Sequence, residues 1–167
     1  FVDGDLHWGN DRLVIVDEAL RAAPRRRCGR CRAGCAHPGP RDMSAARPGD
    51  PLRAAVIGFG AIAYEHLPWL AATPQARLVA LCDQSPALAQ AARDHFGAGS
   101  IHVDAAAMLA EVKPDIVHVL TPPHTHDQLV RLVLAAGAHV VCEKPMCGTA
   151  AETAALLDLA RETGRSL

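Results

Sequence analysis

No run of apolar residues in this chain reaches the roughly 18 needed to cross a bilayer. No N-terminal apolar stretch has the length of a secretory signal. Charge of one sign is also lacking: the formal net charge is −1, so no global field draws the chain toward nucleic acid or an anionic membrane. Aromatic residues make up only 4% of the chain. The basic run Arg25-Arg26-Arg27, with Arg30 and Arg32, therefore lacks stacking partners and any recognisable nucleic-acid fold, and it reads as a solvated tail. A disulfide framework is missing too. The six cysteines divide into a cluster (Cys28, Cys31, Cys35) and three scattered ones, Cys82, Cys142 and Cys147. The scattered ones lie in or beside apolar segments, where free cysteine behaves as a small hydrophobe. That usage points to a reducing cytoplasm.

What is present is the balance of a globular protein, 50% apolar and 21% charged over 167 residues, enough for one domain of ordinary size. Phe1 opens the chain instead of Met, and Gly164-Arg165-Ser166-Leu167 reads as a helix end followed by the start of a strand. Both ends have the character of cuts. The expectation is a fragment of a longer protein, with Met43 as a candidate natural start.

Three zones differ in composition. Residues 1–22 are mixed and partly apolar. Residues 23–51 are rich in Arg, Pro, Gly and Cys and nearly devoid of large apolar residues; such a stretch cannot offset its chain entropy by burial and reads as a disordered linker. Residues 52–167 alternate strand and helix patterns. Strands are predicted at 52–57, 77–82, 101–103, 116–120 and 139–142, with a sixth starting at the C-terminus. They are apolar runs without alternation, as in strands buried on both faces. Between them fall helices at 61–72 (kinked at Pro68), after Ser85-Pro86 up to Gly97, from Asp104 to Glu111, and at 126–136 with Leu129, Leu132, Val133 and Ala136 as its apolar stripe. A last helix follows a capping box of Thr149 and Glu152. The helices use an N-cap before proline and glycine stops. Trp69 and Phe96 read as core. The fold class is α/β: a Rossmann-type doubly wound parallel sheet.

The chemistry concentrates in Gly58-Phe59-Gly60-Ala61-Ile62-Ala63, a G-x-G-x-x-A sequence directly after a strand and opening a helix. Gly58 allows the tight turn, Gly60 lets backbone approach a pyrophosphate, and Ala63 lets the helix pack on the strand. The helix N-terminus offers N–H groups and a positive dipole end to phosphate. Glycine patterns alone are weak, but this one has the required context on both sides. Asp83 ends the second strand, 25 residues after Gly58. Its carboxylate can accept from both adenosine ribose hydroxyls and repels a 2′-phosphate; no Arg or Lys follows before Arg93, so NAD is expected in preference to NADP. The bland alternative is an Asp that merely starts a turn. Thr121-Pro122-Pro123-His124-Thr125-His126 and Glu143-Lys144-Pro145 follow strands four and five, at the strand ends where open parallel sheets bind ligands. Lys144 is an unusual residue to follow a buried strand, and an ammonium beside a nicotinamide can orient a hydroxyl or take part in proton transfer.

Residues 52–167 resemble the N-terminal domain of the Gfo/Idh/MocA (glucose–fructose oxidoreductase / inositol dehydrogenase / rhizopine catabolism) family. The matching pieces are 56–63, Cys82-Asp83, 114–123, His126 and 142–146. The resemblance implies that Gly58, Gly60 and Ala63 meet the pyrophosphate and Asp83 the ribose, with Phe59, Ala61 and Ile62 also in the cofactor-binding loop. It implies that Thr121, Pro122, His126, Glu143 and Pro145 line the cofactor cleft, with Pro145 behind a cis bond. Lys144 matches the family's lysine near the nicotinamide and is the one catalytic candidate. Such enzymes have a second domain that supplies a substrate-facing sheet, the acid–base histidine and its acidic neighbour. None of the nine histidines here matches that role, and the substrate domain is absent from this sequence. The implied reaction is hydride transfer between nicotinamide and a sugar, inositol or related polyol, with this chain binding cofactor but not turning over alone. Alternatives on the same scaffold are NAD-dependent glycoside cleavage and ligand sensing. A homo-oligomer is expected only with the second domain present.

Three further signals are weaker. Asp3-Gly4-Asp5-Leu6-His7-Trp8-Gly9-Asn10 resembles the catalytic loop of aminoglycoside-phosphotransferase-like kinases, with Asp5 as base and Asn10 and Asp17 as metal ligands. Asp3 stands where such kinases have His and no ATP-binding lobe precedes it, so a kinase remnant is the reading. Cys28, Cys31, Cys35 and His37 are zinc-type ligands in a stretch with nothing apolar to pack around a metal. His124 and His126 lack a third ligand nearby. No metal site is expected.

Overall fold

The computed structural model describes residues 50–97 and 99–167. The kinase-like loop, the cysteine cluster, the basic run and Met43 all lie outside the described residues. Leu52–Ile57 (β1) is the central strand of a five-stranded sheet. The chain then forms α1 (Ala63–Ala72), β2 (Ala76–Cys82), α2 (Pro86–Phe96), β3 (Ser100–His102), α3 (Ala105–Val112), β4 (Ile116–Val119), α4 (His126–Ala135), β5 (His139–Cys142) and α5 (Ala150–Thr163), with one 3-10 turn at Pro123–Thr125. The strand order is β3-β2-β1-β4-β5 and every pairing is parallel. The direction of winding reverses between β1 and β4, which makes that junction the topological switch point.

Side-chain alternation along β1 divides the core. Ala55 and Ile57 face one side with Val117, Val119, Val140, Met108, Val130, Val133, Leu134 and Leu156. Ala54 and Val56 face the other with Leu81, Ile116, Leu67, Leu70, Ala89 and Ala92. Helices α3, α4 and α5 therefore cover one face, and α1 and α2 the other. Full burial of side chains such as Leu67, Leu81, Leu134 and Leu156 contributes about 1.5–3 kcal/mol each. The apolar strands read as buried on both faces because they are.

The helix ends follow local chemistry. Asp104 accepts from the Ala107 N–H at the start of α3. Thr149 and Glu152 form the reciprocal box at α5. Gly97 and Gly164 close α2 and α5 in the left-handed conformation. Three expectations need correction. Ser85 stands at the N-cap of α2 but its hydroxyl caps nothing; its N–H donates to Asp83 Oδ1 at 2.8 Å. The buried stripe of α4 is His126, Val130, Val133 and Leu134, with Leu129, Leu132 and Ala136 packed at its margin. The helix lies between the sheet and α5, so its apolar arc is wider than a single stripe. The first helix begins at Ala63, not 61, since Gly60 to Ile62 still belong to the loop. Trp69 and Phe96 are partly buried against the α1–α2 core. Beyond α5, Ser166 runs beside β5: Val140 N–H donates to Ser166 O at 2.9 Å, and Ser166 N–H to His139 Nδ1 at 3.0 Å.

Candidate functional site

At the carboxyl end of β1 the chain turns through Gly58 with φ +96°. A Cβ there would lie 2.8 Å from Thr121 Cγ2 and 3.0 Å from Leu120 C. Gly58 is thus demanded by the fold twice, by its dihedral and by the loop that follows β4. Gly60 is different. A Cβ there would meet nothing within 4 Å, and its φ is not positive. The protein itself imposes no need for glycine at 60, and the space above it is open.

The loop is held from the side by Asp83. Its Oδ2 accepts from the Phe59 N–H at 2.8 Å, while Oδ1 takes the Ser85 N–H. Gly58 N–H donates to Cys82 O at 2.9 Å. Ala63, Tyr64 and Glu65 close the first turn of α1 onto the carbonyls of Gly60, Ala61 and Ile62. The N–H groups of Gly60, Ala61 and Ile62 are left with no acceptor among the described residues. They are the orphan donors of a helix start, an anion-binding arrangement. Ala63 and Phe59 are buried in the core below.

Across the switch point, the β4 and β5 loops are tied together by His126. Its ring is fully buried, with Nε2 2.7 Å from the Thr121 carbonyl oxygen and Nδ1 3.0 Å from that of Pro145. The ring is thus seated between two loops, with its carbonyl partners one on each. Thr121 is also fixed by Thr125, whose hydroxyl donates to Thr121 Oγ1 at 2.7 Å. Pro122 is exposed. His124 is exposed too, so the two histidines of that segment do not share a site.

Glu143 is buried at the end of β5. Lys144 is exposed, contrary to the interior placement its neighbours suggested: the strand ends at Cys142, and the lysine lies past it. The Lys144–Pro145 bond is cis. The remaining cysteines are free thiols. Burial pushes Cys82 up to about 11, with Asp104 and Asp83 adding to it. Burial likewise pushes Cys142 up to about 12, helped by Cys147 and Glu143. Neither is a nucleophile at neutral pH. Among the described residues no group of three or more His, Cys, Asp or Glu is placed to hold a metal ion, and no helix is long and apolar enough to cross a membrane.

A glycine turn, an acidic clamp and a helix start on one side of the switch point, facing a Thr-Pro loop and a Glu-Lys-Pro loop on the other, match one family model. That model is the oxidoreductase family with an NAD-binding Rossmann fold, and it covers residues 52–167. The chain belongs to the Gfo/Idh/MocA oxidoreductase family. Relatives of this family member include D-glucoside 3-dehydrogenase of Escherichia coli, 38% identical over 75% of this chain and 36% of that protein. Another is the dTDP-3,4-didehydro-2,6-dideoxy-alpha-D-glucose 3-reductase of Streptomyces violaceoruber, 39% identical over 68% of this chain and 33% of the relative. Among solved structures, the WlbA dehydrogenase of Chromobacterium violaceum, in complex with NADH and UDP-GlcNAcA, superimposes with a TM-score of 0.65 at 32% identity, covering 69% of this chain and 33% of that one. The 3-ketoreductase KijD10 of Actinomadura kijaniata, in complex with NADP, gives 0.66 at 31% identity, covering 70% and 37%. The chain spans about a third of the length of the curated relatives it matches.

The Gfo/Idh/MocA domain here has the features a dinucleotide requires: open space at Gly60, unpartnered N–H groups at the helix start, and a carboxylate at the end of β2. Sequence reading missed two residues of the site region, His66 on α1 and His118 on β4. Their nitrogens approach at 3.2 Å, and His66 Nε2 lies 3.0 Å from Glu143 Oε1. His66 falls one turn beyond Ala63, and His118 is the polar exception in an apolar strand; those were the available signals.

Proposed function

We propose that this chain is the NAD-binding part of a dehydrogenase that acts on a sugar, inositol or related polyol. The observation that carries the reading is the placement of the Gly58–Ala63 loop, Asp83 and the Glu143-Lys144-Pro145 loop at the carboxyl ends of β1, β2 and β5, around the β1–β4 switch point. When bound, the nicotinamide cofactor supplies or accepts the hydride.

Each residue then has a task. The N–H groups of Gly60, Ala61 and Ile62 receive the pyrophosphate, with Gly58 shaping the turn and Ala63 seating the helix. Asp83 already accepts one N–H on each oxygen, and each carboxylate oxygen has a further lone pair for a ribose hydroxyl. A fixed anion there disfavours a 2′-phosphate, which favours NAD over NADP. Thr121, Pro122 and the segment held by His126 line the far wall of the cleft. Glu143 and Pro145 hold Lys144 at the nicotinamide end, where its exposed ammonium orients the substrate hydroxyl and its proton.

The substrate class rests on relatives named as sugar and inositol dehydrogenases. None of the nine histidines matches the acid–base histidine implied by the family resemblance, and on that reading these 167 residues are expected to bind NADH without oxidising a polyol. Work in the cytoplasm, where NAD is available, fits this role. The test is titration of the chain with NADH and NADPH by fluorescence or calorimetry, beside a turnover assay with glucosides and inositols. Saturable NADH binding tighter than NADPH, without turnover, supports the proposal. Absence of NADH binding overturns the functional reading, and polyol-dependent NADH production overturns the division of labour.

A further inference from the structure

The helix α1 and strand β4 bring two histidines together directly behind Glu143. His118 is 1% exposed, and its Nε2 is buried without a hydrogen-bond partner. Its Nδ1 lies 3.2 Å from His66 Nδ1, with the rings edge to face at 85°. On its other side, His66 Nε2 is 3.0 Å from Glu143 Oε1. Glu143 Oε2 in turn accepts the Lys144 backbone N–H at 3.1 Å. Four groups therefore stand in series from the core to the residue at the nicotinamide end.

Only one arrangement of protons makes these contacts without leaving a buried N–H bare. A buried N–H without an acceptor is among the rarest defects in folded proteins, rarer than a bare acceptor. His118 must then carry its proton on Nδ1 and leave Nε2 bare. The Nδ1–H has one acceptor, His66 Nδ1, which must be unprotonated. The single proton of His66 is thereby forced onto Nε2, where it donates to the Glu143 carboxylate. A protonated His66 would hold hydrogens on both nitrogens. It would drive the His118 proton onto the buried, partnerless Nε2. Burial and the neighbouring His66 hold His118 down to about 3, so it remains neutral and cannot relieve the conflict by gaining a second proton.

We propose that His66 and His118 are a positioning pair: His118 fixes the tautomer of His66, and His66 fixes the Glu143 carboxylate and through it the Lys144 backbone. The part of this that concerns cofactor rests on the proposed function of the Glu143–Pro145 loop. The pair acts through the Glu143 carboxylate. It sets the direction in which the loop presents Lys144, in the way an orienting group fixes a catalytic imidazole from behind.

The decisive measurement needs no variant. Long-range 15N–1H spectra of the imidazoles in the 167-residue chain at pH 7.5 are expected to show the Nδ1–H tautomer at His118 and the Nε2–H tautomer at His66. The Nε2–H tautomer at His118, or an imidazolium at His66, overturns the proposal. Variants then test the link to the loop. His66→Gln carries an amide N–H near the Nε2 position, whereas His66→Asn carries its amide near Nδ1. Hydrogen exchange of the Lys144 amide is expected to speed up about tenfold in His66→Asn, with most of that recovered in His66→Gln. Equal exchange in wild type and His66→Asn overturns the lock. NADH affinity is expected to fall at least fivefold in His66→Asn and to recover in His66→Gln; equal affinities remove the cofactor-positioning role. If the wild-type chain binds no NADH, the proposed function fails, while the tautomers and the Lys144 exchange still decide the lock.

Discussion

Asp83 Oδ2 accepts the Phe59 N–H at 2.8 Å, so the carboxylate expected to meet a ribose also holds the glycine loop in place. One residue thereby serves both the glycine loop and the proposed ribose contact. Replacing it removes a recognition group and loosens the turn at once. Asp83→Ala is expected to weaken NADH binding by roughly tenfold or more, on the order of 1.4 kcal/mol, and to narrow the preference for NADH over NADPH. Paired fluorescence titrations check this; an unchanged NADH-to-NADPH ratio would contradict the assigned role.

The two glycines of the loop separate fold from ligand. Gly58→Ala forces a side chain into φ +96° and within 2.8 Å of Thr121 Cγ2, which is expected to cost about 1–3 kcal/mol of stability. Gly60→Ala adds a methyl group to open space. Its unfolding midpoint should match wild type while its NADH affinity drops about tenfold or more. Urea denaturation beside NADH titration separates the two, and a Gly60→Ala protein with wild-type affinity would argue against backbone approach by a phosphate.

His126 places each ring nitrogen against a carbonyl oxygen, at 2.7 and 3.0 Å. His126→Phe keeps the bulk and removes the one N–H that a neutral ring can donate to these carbonyls. Leaving a buried acceptor unsatisfied costs about 1–3 kcal/mol, and the variant should lose that much in urea unfolding. NADH affinity should fall with it, because the two loops proposed to form the far wall are no longer joined. A variant as stable as wild type would show that the ring is not the tie.

Two buried histidines make stability depend on pH. Burial and His66 lower His118 to about 3. Burial, then Arg165, lowers His139 to about 4 against a smaller opposing effect of Asp115. Both therefore favour the neutral form in the folded state. Below their unfolded value near 6.5 the unfolded chain takes up protons that the folded chain refuses. Stability is full above about pH 6.5 and falls as pH drops toward about 4. Between pH 7.5 and 5 each histidine is expected to remove about 2 kcal/mol. His118→Val, matching its valine neighbours on β4, should lessen that fall by about half; urea titrations at the two pH values measure it, and an unaltered pH slope would count against the assignment.

Much of the fold could be read directly because its rules are local. The apolar runs at 52–57 and 139–142, the glycine stop at 97 and the Thr149–Glu152 box each carry their signal within a few residues. The glycine loop could be read for the same reason. His66 and Glu143 could not be joined, since they stand 77 residues apart and no local pattern relates them. Gly99 had no visible reason either. Its Cβ would collide with the Val79 carbonyl, at the residue skipped by the β1–β2 register between Leu78 and Ala80.

The sequence by itself determined the α/β class, the order of strands and helices along the chain, the G-x-G-x-x-A turn and the acidic end of the second strand. These depend on periodicity and on spacing along one chain, which short-range sterics and burial convert into structure. Tertiary structure alone decided that Asp83 clamps the loop it serves, that His126 is buried between two loops, that Lys144 is exposed, and that two histidines stand behind Glu143. Those relations depend on side chains meeting across the sheet, where distance and direction are set by packing and not by position in the sequence.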